Sequence, residues 1–462
     1  MSVQPLSPAK EGPSLGSLLG LAWPIVLTRA TQSVIGFTDA LMVAPLGEDT
    51  LAAVTTGALN CFAVIILPMG TVFILQSFAA QLRGRGEMDK LPRFAWYGLG
   101  LALFFGLAAL AAIPLVPAVL DRFAYSPAVR HLMGEYVTIR LLSVGAAVGS
   151  EALSNWYGGI GNTRVGMIGS VVAMLANLVG CFLLIEPRFG LPGYGVQGAG
   201  WASVIASWLG FAVVAFAFLR GLGYERVRGR LGLSLRELWR VLRFGLPNGV
   251  NWFFEFAAFV LFINVVVAHL GTTVLAAFNV VMQVNSISFM PAFGLSSAGA
   301  IFVGEAIGRG KHDAVWPIVR LTGAVAATWM ISVGVLYCVL PETLVSLFQP
   351  RGAEASSLVS IGTSMLMLSA LWQLADAINL VLSEALRAAG DTAWCMGARQ
   401  VLAWVMFPPA DCISVLVLDG GVHTVMFALI GYLVALATTF ALRFASGRWR
   451  HIDLVGSETK LA

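Results

Sequence analysis

Three carboxylates stand in stretches of the chain that are otherwise apolar. Glu255 is the centre of NWFFEFAAF, Asp376 of LADAINL, and Asp39 lies within FTDALMV. A charge in such surroundings is costly, so each group is paired, protonated, or engaged in handling a cation. A carboxylate poised in this way exchanges a proton, or releases it to take Na⁺, and needs no cofactor to do so. Polar neighbours recur at helical spacing. At about 100° per residue, Asn248 and Asn251 fall within roughly 40° of Glu255. Thr28 and Gln32 share a face with Asp39 in the same way, and Gln373, Asn379 and Ser383 share one with Asp376. Asn279, Gln283 and Ser286 form a fourth stripe. Stripes of this kind on lipid-compatible helices face a protein interior or a water-filled cavity.

The elements that carry them are membrane spans. Of 462 residues, 58% are hydrophobic and 11% charged, with mean hydropathy +0.84. A soluble chain carries about 25% charged residues. The expected fold class is therefore an all-α polytopic membrane protein. Hydropathy places twelve spans near 17–43, 51–82, 94–120, 132–158, 163–186, 195–219, 244–269, 275–306, 314–341, 356–387, 392–417 and 422–444. Each is long enough for a hydrocarbon core of ~30 Å, and lipid-exposed backbone must satisfy its own hydrogen bonds as helix. The apolar segment that follows residue 16 is too long for a signal-peptide core and reads as a retained first helix. The five cysteines are scattered singly, without metal-site or disulfide spacing.

Basic residues set the expected orientation. The N-terminal tail, the even-numbered loops and the C-terminal tail hold 21 of the 28 Lys and Arg, seven of them between Arg220 and Arg243. The odd-numbered loops hold four, and Arg29, Arg140 and Arg320 fall within spans, where Arg29 and Arg140 are expected to snorkel. The positive-inside rule puts both termini in the cytoplasm of a cell inner (plasma) membrane. Basic loops are thus a topology signal and imply no nucleic-acid partner.

An internal repeat organises the chain. LAWPIVLTRATQ (21–32) aligns with FGLPNGVNWFFE (244–255), and LGEDTLAAV at Leu46 with LGTTVLAAF at Leu270. QLRGRG at Gln81 matches EAIGRG at Glu305, SEAL recurs at Ser150 and Ser383, and the GNT ending at Thr163 recurs as the GDT ending at Thr392. The copies lie 223 to 233 residues apart. The expected domains are an N-terminal six-helix bundle over 1–219 (1–16 a cytoplasmic tail), a basic linker over 220–243, and a C-terminal six-helix bundle over 244–462. Six is even, so the bundles share an orientation, with a pseudo-two-fold axis along the membrane normal. In this alignment Glu255 faces Gln32 and Asp376 faces Ser143. The halves are chemically unequal, and the ion site is expected in the second.

From Leu21 to Arg443 the chain resembles the MATE (multidrug and toxic compound extrusion) family, in its NorM-like branch. The resemblance rests on Pro24, FTDALMV, LGEDTLAAV, GLPNGVNWFFEFAAF, LADAINL and ALRAAGDT, in that order over two halves. It implies cation-coupled efflux of cationic or amphiphilic compounds by alternating access. Glu255 and Asp376 match membrane carboxylates of the NorM-like branch, and Asp39 the more widely shared first-helix aspartate. These three are the candidate coupling residues, with Na⁺ as a candidate ligand of Glu255 and Asp376. Gln32, Asn248, Asn251, Asn279, Gln283, Gln373, Asn379 and Asn177 are the candidate cavity lining. Where DinF-like members often carry an aspartate one turn after the fifth-helix asparagine, Asn177 is followed here by Cys181. That departure argues against a proton site confined to the N-terminal half. Asn379 stands where a glutamine is common.

No enzyme constellation is visible. GEAIGRGKH at Gly304 looks like a phosphate loop, but the spacing requires glycine at Glu305, and His312 replaces the Ser/Thr. With no nucleotide site, energy is expected from a Na⁺ or H⁺ gradient and no cofactor. The expected partners are small-molecule substrates and the bilayer, with the protein acting as a monomer. The competing class is a flippase for lipids or lipid-linked oligosaccharides, which would be expected to have a basic cavity where this one is acidic.

Overall fold

The computed structural model describes residues 13–456 except 124, 188–191, 225–231, 349–354, 407–408, 410–414 and 416–419. Its regular structure is helical. The first half of the chain forms α1 (Leu15–Val43), α2 (Glu48–Val72), α3 (Leu75–Arg85), α4 (Leu91–Ala112), α5 (Val116–Leu120), α6 (Pro127–Leu141), α7 (Val144–Gly159), α8 (Thr163–Leu184) and α9 (Gly195–Arg220). The second forms α10 (Leu235–Leu261), α11 (Thr272–Gly308), α12 (Val315–Val339), α13 (Pro341–Ser346), α14 (Ala355–Ser369), α15 (Gln373–Ala389), α16 (Thr392–Val401) and α17 (Val422–Ala445).

Among the described residues, ten helical segments are long and apolar enough to cross a membrane, or eleven if α6 and α7 count as one span. The expected fourth span is that pair, bent by 46°. At the bend the Ser143 hydroxyl donates to the Arg140 carbonyl at 2.7 Å, a local bond that competes with the helix ladder. The expected eleventh span begins as α16 and a π-turn at Leu402–Met406, then runs partly outside the described residues. The seventh starts earlier than hydropathy suggests, because α10 begins at Leu235. There the Glu237 carboxylate accepts from the Tyr97 hydroxyl at 2.6 Å and lies 3.5 Å from Arg93.

The chain separates into two compact units. The first holds residues 27–249, and the second holds 13–26 with 250–456. The boundaries fall inside α1 and α10, just past Pro24 and Pro247, which occupy matching places in the repeat. In the first unit, α10 lies directly on α2. A Cβ on Gly249 would strike the Leu67 carbonyl and the Thr71 hydroxyl, so only glycine admits this approach. In the second unit, Gly294 of α11 meets Val26 of α1 just as closely.

The second unit's core sets the orientation of α15. Ala377 and Leu380 are buried with Ala292 of α11 and Met330 of α12. Gln373 belongs to the same packed region, where Gly334 of α12 comes close enough that a Cβ would lie 3.2 Å from it. With that side taken by core, Asp376 and Asn379 are directed toward α16.

Candidate functional site

In the second unit four helices converge on the carboxylates found from the sequence. α10 presents Asn251 and Glu255, one turn apart, and α15 presents Asp376 and Asn379. α16 supplies Arg399 and Gln400, which join the two. Arg399 Nη1 donates to Glu255 Oε1 at 2.7 Å, and Nη2 donates to Asn379 Oδ1 at 3.1 Å. The guanidinium fork therefore bridges α10 and α15. Its carbon lies 5.4 Å from the Phe440 ring centroid on α17, within cation–π range. Gln400 Nε2 donates to Asn251 Oδ1 at 3.1 Å, a second tie between α16 and α10. Tyr432 of α17 lies close enough to Glu255, Arg399 and Asp376 to interact with each.

The accessibilities within this cluster differ. The Arg399 side chain is 12% exposed and that of Glu255 is 41% exposed. Asp376 Oδ1 accepts from Asn379 Nδ2 at 3.5 Å, the outer limit of a hydrogen bond. Among the described residues Asp376 has no cation within ion-pairing distance. The cluster thus holds two carboxylates and one guanidinium.

Arg399 is the residue that the sequence reading missed. It lies within the expected eleventh span, yet the basic-residue count assigned it to the cytoplasmic loop. The available signal was depth: an arginine two turns into an apolar segment requires an acidic partner. Glu255 is that partner, which answers the choice posed at the outset in favour of pairing.

The first unit holds Asp39 in different company. The carboxylate is buried, and accepts from Cys181 Sγ at 3.2 Å and from Ser203 Oγ at 3.2 Å. Asn177 Nδ2 donates to Ser203 Oγ at 3.2 Å, while Asn177 Oδ1 is buried without a hydrogen-bond partner among the described residues. Arg29 does not snorkel. It donates to Glu151 Oε1 at 2.8 Å, and Glu151 also accepts from Asn155 at 3.0 Å. Arg140 is directed inward beside Tyr136. Glu384 pairs with Arg387, as their spacing suggests.

The remaining candidates divide by exposure. Gln32, Asn279 and Gln283 are exposed side chains. Asn248 belongs to the first unit and donates to the Gly70 carbonyl at 2.7 Å, near the break between α2 and α3. Gln373 is buried and donates to Asn285 Oδ1 at 2.8 Å, a tie between α15 and α11.

Ten or more apolar helices, duplicated by sequence and carrying charged groups in their interior, define a multi-pass membrane protein. The MatE family model matches residues 24–183 and again 252–408, and the chain belongs to this family of MATE transporters, which are not enzymes. It is 28% identical over 450 residues to the probable multidrug resistance protein NorM of Pseudomonas putida, covering 96% of each chain. To the multidrug resistance protein NorM of Burkholderia vietnamiensis it is 27% identical, covering 92% of each. Among solved structures, it superposes with TM-score 0.84 and 18% identity on a multidrug resistance MATE family transporter of the MOP superfamily in an outward-facing conformation, covering 94% of this chain and 96% of that one. A MOP superfamily transporter from Pyrococcus furiosus, described as having a binding pocket of reversed polarity, gives TM-score 0.85 at 18% identity, with the same coverages. At such identities the likeness is one of fold.

Proposed function

We propose that this protein is a secondary antiporter that exports cationic or amphiphilic organic compounds in exchange for Na⁺ or H⁺ by alternating access. It acts in the cytoplasmic membrane, with both termini in the cytoplasm and twelve spans in two six-helix bundles about a pseudo-two-fold axis. The coupling cation exchanges at the Glu255–Asp376 cluster. The observation that carries this reading is Asp376: a carboxylate within a spanning segment, without a cation partner among the described residues, beside a cluster that already holds an ion pair. Intramembrane ionisable groups of this kind mark ion pathways. The names of the NorM relatives, multidrug resistance proteins, support the substrate class.

Arg399 is the observation that a flippase reading would invoke, since it fixes one positive charge among these groups. Two carboxylates outnumber it, which favours a cationic substrate. In proteoliposomes, ethidium should leave through the purified protein when an inward Na⁺ or H⁺ gradient is imposed. Unchanged efflux after both gradients are collapsed would overturn the antiporter.

A further inference from the structure

Two carboxylates equally placed to exchange a cation would make the cluster a two-cation site. The Arg399 geometry argues against that. A guanidinium that forks between Glu255 and Asn379, rests on Phe440 and is 12% exposed is held by side chains of three helices besides its own. A guanidinium whose two Nη groups are held by different helices is restricted far more than one with a single contact. We propose that Arg399 is a tethered cation that occupies Glu255 throughout the transport cycle, so that Asp376 alone takes the mobile cation in this cluster. Arg399 is then a positioning residue, and Glu255 is its counter-ion rather than a carrier. This inference rests on the antiporter reading above and divides the labour within it.

Charge balance supplies the consequence. Two carboxylates and one guanidinium leave one negative charge, which one monovalent cation neutralises. Asn379 touches both the guanidinium, at 3.1 Å, and Asp376, at 3.5 Å, so Arg399 is near enough to change partners if Glu255 is removed. Glu255→Gln strands the guanidinium, which then turns to Asp376 and blocks the exchanging group. The transport defect of Glu255→Gln therefore comes from Arg399, and removing Arg399 as well should relieve it.

The experiment is gradient-driven ethidium efflux in proteoliposomes at matched protein abundance, on the full chain. Glu255→Gln should fall at least ~tenfold, and Glu255→Gln with Arg399→Gln should return to within about threefold of the parent, a non-additivity that only coupled residues show. Asp376→Asn should lose transport in either background. Arg399→Gln alone frees Glu255, so the Hill coefficient for the driving cation should rise from ~1 toward ~2. A merely structural role for Arg399 would lower activity without moving that coefficient. If the double variant stays as inactive as Glu255→Gln while folding normally, Glu255 is itself a carrier and the inference is overturned. If Asp376→Asn transports like the parent, the coupling reading fails instead. Should the double variant not accumulate, Arg399→Met in the Glu255→Gln background replaces the ion pair by neutral groups of similar volume and gives the same two outcomes.

Discussion

Asp39 in one unit is held by a thiol and a hydroxyl, each at 3.2 Å, whereas Glu255 in the other is held by a guanidinium at 2.7 Å. The repeat sharpens this difference. At the 223-residue offset, Asp39 corresponds to buried Phe262, and Glu255 corresponds to exposed Gln32. Each half therefore carries its charge where the other has none. Asp39 is hydrogen-bonded by neutral donors, with Arg140 acting on it through space and not in ion-pair contact, so its charge is less fully balanced than that of the ion-paired Glu255. Duplication supplied the scaffold twice, and the charges were placed separately on each copy.

The comparison is most exposed to failure at Asp39. If the neutral-donor cluster also takes a cation, Asp39→Asn should reduce gradient-driven efflux by roughly tenfold or more, equivalent to about 1.4 kcal/mol. Folding should be unharmed, or improved, because the amide is cheaper to bury than a charge. Thermal unfolding of the detergent-purified protein, run beside the flux assay, separates the two effects. Full transport from a stable Asp39→Asn protein would reduce that cluster to helix–helix glue and leave Asp376 of the second unit as the exchanger.

A smaller functional effect is expected where a charge pair is structural on both sides. Arg29 and Glu151 pair at 2.8 Å with side chains 12% and 7% exposed. Glu151→Gln removes the carboxylate that Arg29 pairs with, and breaking a buried pair from one side costs about 3–5 kcal/mol. The unfolding temperature should drop, while the cation dependence of whatever transport remains stays as in the parent. A changed cation dependence at unchanged stability would move this pair from the scaffold into the transport machinery.

These contrasts also show what the sequence could disclose. Glu255, Asp376 and Asp39 were legible because a carboxylate within an apolar run is conspicuous at any register. The shared faces were legible too: Asn251 and Glu255 do reach the same partner helix, through Gln400 and Arg399. Arg399 was hidden because counting basic residues sorts them into loops, and because its partner is 144 residues away. Gln373 shares a face with Asp376 by period, yet it is buried against α11, since the position of Gly334 on a neighbouring helix decides which part of that face becomes core. The bend at Ser143 escaped for a related reason. Hydropathy registers how apolar a segment is, and not where its helix ladder is interrupted.

The mildest test concerns Cys181, which stands where an aspartate would have given the first unit a second carboxylate. Its thiol donates to Asp39 Oδ1 at 3.2 Å, so it is a partner of the charge and not a bystander. A thiol is a weak donor, however, and Ser203 continues to hold the other carboxylate oxygen. Cys181→Ala should therefore leave ethidium efflux within about twofold of the parent, because a thiol's hydrogen bond contributes well under the ~1 kcal/mol of an ordinary one. Cys181→Ser restores a donor of similar reach and should be indistinguishable from the parent. The pair of variants separates hydrogen bonding from thiol chemistry. If alanine abolishes transport at normal abundance and serine does not restore it, the thiol itself takes part in ion exchange, and the picture of Asp39 among passive neutral donors is wrong.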